Sequence, residues 1–71
     1  MDENELKAYL DVSEFAFEYN EKDYYIENRG TDYLAIDDKE KELAFTTFDA
    51  LLNDFIVDGK PLKEILADID W

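Results

Sequence analysis

The chain has no cysteine and no histidine, and it has only one proline, one arginine and two glycines. Without cysteine there is no disulfide, and without cysteine or histidine there is no ordinary zinc site. The usual nucleophile and base pairs of covalent catalysis cannot be assembled either. A phosphate-cradling loop is excluded because Gly30 and Gly59 lie far apart. Basic charge is scarce: seven Lys and Arg stand against twenty Asp and Glu, a formal net charge of -13 at pH 7. Nucleic acid and anionic membrane surfaces both demand a basic face, so direct binding to either is not expected. No run approaches the ~18 apolar residues of a transmembrane span. Met1 to Glu5 is acidic where a signal peptide would be basic. These absences lead to the expectation of a cytoplasmic protein without a cofactor.

Apolar residues are plentiful, at 46%, and aromatic residues make up 15%. Residues 1–71 read as one small domain, of a size that buries only about 60% of its unfolded surface. Aromatic side chains bury large areas for few rotatable bonds, which suits a small core lacking covalent or metal staples. The apolar residues recur with a period and no low-complexity run occurs, so disorder is rejected despite the charge. Self-repulsion remains, and stability is expected to rise with added salt.

Two periods organise the chain. Residues 2 to about 10 predict a short helix with Leu6, Tyr9 and Leu10 on one face, and Asp2, Glu3 and Glu5 at its positive end. Residues 14–19 alternate, with Phe15, Phe17 and Tyr19 inward and Glu14, Ala16 and Glu18 outward. Asn20 to Asp23 supplies a turn, and Tyr24 to Glu27 a second strand with Tyr24 and Ile26 inward. Asn28 to Thr31 is the next turn, with Gly30 at positive φ. Asp32 to Asp37 predicts a strand with Leu34 and Ile36 inward. Asp38 to Lys41 is a charged turn, followed by a short strand, Glu42 to Phe45, with Leu43 and Phe45 inward.

The period then changes from 2 to 3.6. Phe48, Leu51, Leu52 and Phe55 form one helical stripe, capped by Thr46 or Thr47, and Leu62, Ile65, Leu66 and Ile69 form a second. Between them Ile56 and Val57 predict buried extended chain and Gly59 a bend. Pro61 fits the first turn of the last helix, where Glu64 also suits the dipole. Trp71 is expected to dock against the sheet or a neighbouring chain. The fold class is therefore α+β: a small antiparallel β-meander of three to four strands, with two C-terminal amphipathic helices and a short N-terminal helix packed on one face.

Few constellations carry chemistry. With twenty carboxylates in the chain, chance pairs are certain, and a domain of this size has no room for a cleft that engulfs a sugar. The Asp-rich loops, Asp37-Asp38-Lys39-Glu40 and Asp54 to Gly59, miss the calcium-loop pattern: lysines interrupt the first, and Ile56 takes a ligand position in the second. Both read as solvated turns. The lone Arg29 reads as a turn cap or the partner of a nearby Asp. Tyr25 and Tyr33 fall on the outward parity of their strands, near Glu18, Glu27, Ala35 and Asp37. Exposed tyrosines support cross-strand pairs in many sheets, but Tyr among acids also makes a protein-binding patch.

The expectation is a non-enzymatic acidic binding or inhibitor protein that occludes a basic surface, with a nucleic-acid-processing enzyme as the favoured partner. Its carboxylates would stand in for the phosphates of a nucleic acid and give fast association that weakens with salt. The partner-binding residues expected are Glu14, Glu18, Tyr25, Glu27, Tyr33, Asp37 and Asp38. Small size with strong acidity is common to many phage and bacterial inhibitors, including anti-CRISPR, anti-restriction and nuclease-inhibitor proteins; this likeness is one of type and rests on no motif. Two alternatives stand beside it. One is a structural or assembly module, such as a homodimer joined through Ile56, Val57 and Trp71 or through a strand edge. The other is an immunity or antitoxin-type protein that neutralises a basic toxin.

Overall fold

Four acidic and amide residues before the first leucine, Asp2 to Glu5, set the N-terminal helix. In the computed structural model, which describes residues 1–69, helix α1 spans Glu3–Val12. Asp2 caps it by accepting from the Glu5 backbone N–H at 2.8 Å, while Glu5 Oε1 accepts from the Asp2 N–H at 3.0 Å. This reciprocal capping box satisfies two N–H groups that the helix leaves without partners. Leu6 and Leu10 are buried and Tyr9 half-buried, as the spacing predicts.

Four strands follow as an antiparallel meander in the order β1-β2-β3-β4: Phe15–Tyr19, Lys22–Asn28, Tyr33–Ile36 and Glu42–Phe45. Turn chemistry sets the register. Tyr19 pairs with Lys22, leaving a two-residue loop of Asn20 at φ 51 and Glu21 at φ 65. Positive φ at both central residues is the twist-matching geometry of tight hairpins. Lys22 and Asp23 therefore belong to β2, not to the turn predicted for them. Between β3 and β4 the Asp37 carboxylate accepts from the Lys39 and Lys41 backbone N–H groups, both at 2.9 Å, and Glu40 takes φ 64.

The covered face of the sheet carries Phe15, Phe17, Tyr24, Ile26 and Ala35, all buried. Their rings form a ladder: Phe15 stacks on Phe17 at 5.4 Å and Phe17 on Tyr24 at 5.2 Å between centroids, and Tyr24 meets Phe55 edge-on at 6.2 Å. Against this face lie α1, helix α2 (Phe48–Asp54) and helix α3 (Leu62–Ile65), which continues as a 3-10 turn over Leu66–Asp68. Thr47, the second of the two candidate caps, caps α2 by accepting from the Ala50 N–H at 3.0 Å. Leu51, Leu52, Phe55, Leu62, Ile65, Leu66 and Ile69 are all buried, so both stripes face the core. Each such side chain contributes about 1.5–3 kcal/mol on leaving water.

Four expectations need correction. In β3 the burial is opposite to the predicted parity: Ala35 is fully buried and Tyr33 packs on the core, while Leu34 and Ile36 stand on the other face. The cause is register. Ile26 is buried and pairs with Ala35, so Ala35 must share its face, and α2 lies against this strand where a small side chain leaves room. The last helix is shorter than its stripe, since Ile69 is already extended at φ -79, ψ 123. Pro61 stands at the helix cap rather than inside the first turn, and it pairs with Ile56. That pairing belongs to a small hairpin, β5 (Ile56–Val57) with β6 (Lys60–Pro61), turned by Asp58 at φ 52 and Gly59 at φ 84. Val57 is buried as expected, but Ile56 is 50% exposed. Trp71 lies outside the described residues.

Candidate functional site

All three helices join one core on the inner face, which leaves the outer face of the meander bare among the described residues. Alternation places Ala16 and Glu18 of β1, Asp23, Tyr25 and Glu27 of β2, Leu34 and Ile36 of β3, and Glu42 and Ala44 of β4 on this side. The register aligns them in rows. One row runs Ala16, Tyr25, Ile36, Glu42, and the next carries Glu27, Leu34, Ala44. Neighbouring strands lie about 4.8 Å apart, so these side chains are contiguous. The centre is an apolar strip, and Glu18 paired with Asp23 closes one end. None of these outward strand positions holds a Lys or Arg.

Of the residues predicted to bind a partner, Glu14, Glu18, Tyr25 and Glu27 fall on or beside this face, with Asp38 exposed on the turn at its edge. Tyr33 does not. It lies on the covered side, its ring 5.9 Å from that of Phe48, and with Lys7 it lines a separate depression of about 280 Å³. Its predicted outward parity failed together with that of the whole strand. Asp37 is half-buried and its Oδ1 holds the turn through two backbone N–H groups, which gives it a structural task. Leu34, Ile36, Ala44, Asp23 and Glu42 were missed, because the register that places them is set by pairing between strands and not by the pattern within one.

The Tyr25 hydroxyl donates to Glu27 Oε1 at 2.6 Å. This bond to a carboxylate, with burial and the nearby charges of Glu27 and Glu14, pushes the phenol up to about 12. The ring is thereby held in place on the face. Beside it Ala16, Tyr25 and Ile36 line a depression of about 340 Å³ whose rim includes Asp23, Asp38 and Glu40.

Arg29 and Asp32 have a structural task in the turn before β3. Arg29 forks onto Asp32, with Nε 2.7 Å from Oδ1 and the second nitrogen on Oδ2, and it holds the carboxyl of Asp32 below its usual range. Gly30, at φ 91, completes that turn by donating its N–H to Asn28 Oδ1 at 2.9 Å. Among the described residues no three acidic side chains converge as a metal site, and no helix is long and apolar enough to cross a membrane. What this surface offers chemically is attraction for cations around an apolar centre. No protein-family model, curated protein or solved structure matches the chain.

Proposed function

We propose that the protein is a non-enzymatic binding protein whose outer sheet face occludes a basic surface on another protein, with a nucleic-acid-processing enzyme as the favoured target. One observation carries this reading: the uncovered face has an apolar centre bordered by carboxylates and no basic residue at any outward strand position. An apolar core within a charged rim is the general anatomy of protein interfaces. The net charge of -13 favours a basic partner and fast, salt-sensitive association. Carboxylates on adjacent strands, a few ångströms apart, resemble a phosphate array, and the apolar strip adds contact area that a nucleic acid lacks. On this reading the protein acts by steric and electrostatic exclusion, without turnover and without a cofactor.

The test is affinity capture from the source cell at low and high salt, followed by titration of the recovered partner. The triple charge reversal Glu14→Lys, Glu18→Lys, Glu27→Lys should weaken binding and flatten its salt dependence. Unchanged affinity with the fold intact would assign the interaction to another surface. A homodimer joined through the half-exposed Ile56 is the competing reading. A salt-insensitive dimer in sedimentation would favour it.

A further inference from the structure

Resting on the reading of the outer face as the binding surface, we propose that the depression beside Tyr25 receives an arginine side chain of the basic partner, its guanidinium laid on the Tyr25 ring and paired with Asp23, Asp38 and Glu40. The volume of about 340 Å³ lies at the bottom of the ~300–1,000 Å³ range of small-ligand pockets, which suits one long side chain rather than a whole ligand. Its lining is divided to match arginine. Ala16, Tyr25 and Ile36 meet an aliphatic stem and a planar head, while the rim supplies the opposite charge.

The carboxylates of Asp23, Asp38 and Glu40 make no hydrogen bond or ion pair with the described residues, whereas that of Asp37 is engaged by the turn. Lys39 and Lys41, on the same turn, form no ion pair with them. Lys22 acts on Asp38 electrostatically but makes its ion pair with Asp58, so the rim carboxylates remain available to an incoming cation. Arginine is favoured over lysine because its delocalised plane stacks on aromatic rings, loses less hydration and forks onto carboxylates. The ring needs no rearrangement to receive it, since the hydroxyl is already anchored on Glu27.

Short synthetic peptides of alternating Leu-Arg, Leu-Lys and Gly-Arg, titrated into isotope-labelled protein and followed by amide chemical shifts, test this directly. The Leu-Arg peptide should shift Ala16, Tyr25, Ile36 and Asp38 and bind about fivefold more tightly than the Leu-Lys peptide. The Gly-Arg peptide, lacking apolar contacts, should bind more weakly than the Leu-Arg peptide. Tyr25→Phe should keep the preference for arginine and Tyr25→Leu should lose it. Shifts on the outer face with equal arginine and lysine affinities, or a preference surviving Tyr25→Leu, would overturn the arginine site while leaving the face as the binding surface. Shifts scattered over helices and sheet alike would overturn both.

Discussion

Lys22 Nζ lies 2.8 Å from Asp58 Oδ1, a contact between residues 36 positions apart. It ties the tip of the β1–β2 hairpin to the turn of the β5–β6 hairpin, and Asn20 Nδ2 donates to the other Asp58 oxygen. Each partner shifts the other. Lys22 holds the Asp58 carboxyl below its ordinary 3.8, and Asp58 holds the Lys22 ammonium above its ordinary 10.5. Stability from the lowered carboxyl is present above the ordinary carboxylate value and is lost as pH falls through the folded value. Stability from the raised ammonium is present below the ordinary lysine value and is lost as pH rises through the folded value.

Asp58→Asn keeps a residue that tolerates positive φ but removes the charge. The side chains are 44% and 29% exposed, so solvent screens the pair and the loss should be a few degrees in Tm at neutral pH. Urea midpoints measured across the acid range should fall less steeply for the variant than for the parent. Parallel curves would show that the pair contributes nothing.

The Tyr25–Glu27 bond predicts a phenol that titrates well above the ordinary 10, near 12. Because the neutral phenol is the donor, its contribution is full below the ordinary tyrosine value and is lost as pH rises through the folded value. Phenolate absorbance should contain a late component that Tyr25→Phe removes, beside that of Tyr24, whose phenol burial also raises. Glu27→Gln should bring the Tyr25 component back toward the ordinary value, since the acceptor loses its charge.

Glu21, at φ 65, holds a left-handed conformation that costs a non-glycine residue about 1–2 kcal/mol. Glu21→Gly creates the Asn-Gly pair that two-residue hairpins favour. After the greater unfolded-state freedom of glycine is subtracted, a gain of about 1 kcal/mol is expected from denaturant unfolding. A loss would indicate that the Glu21 side chain supports the hairpin.

Phe55 is fully buried, with its ring 6.2 Å from that of Tyr24 and 6.1 Å from that of Phe45. It joins the end of α2 to β2 and β4. Phe55→Ala should cost about 3–5 kcal/mol, against a total stability of about 5 kcal/mol for a domain at the low end of the usual range. Circular dichroism melts should show the transition lost or displaced far downward, whereas Ile56→Ala, on the half-exposed neighbour, should leave it nearly unchanged.

Much of this was legible before the structure. The alternation of Phe15, Phe17 and Tyr19 and the two helical stripes foretold which side of each element is buried, because in each the apolar residues lie on one side only. Glu18, Tyr25 and Glu27 stand on the outer face, as the alternation of their strands predicts. Tyr33, Leu34 and Ile36 stand opposite to their predicted parity. Their strand is apolar on both sides, and local pattern favours the aliphatic pair Leu34 and Ile36 as core where pairing with β2 selects Tyr33 and Ala35.

Composition, period and turn residues by themselves determined the class of fold, the meander order and the acidity of its surface, since each depends on local propensity or on summed charge. Only the tertiary structure decided the parity of β3, and with it the apolar centre of the outer face. Register is set by pairing with a neighbouring strand and by the helix that packs over it, and a one-residue slip moves every side chain to the opposite face. The Lys22–Asp58 tie was decided in the same way, because no local rule brings residues 36 positions apart within 2.8 Å.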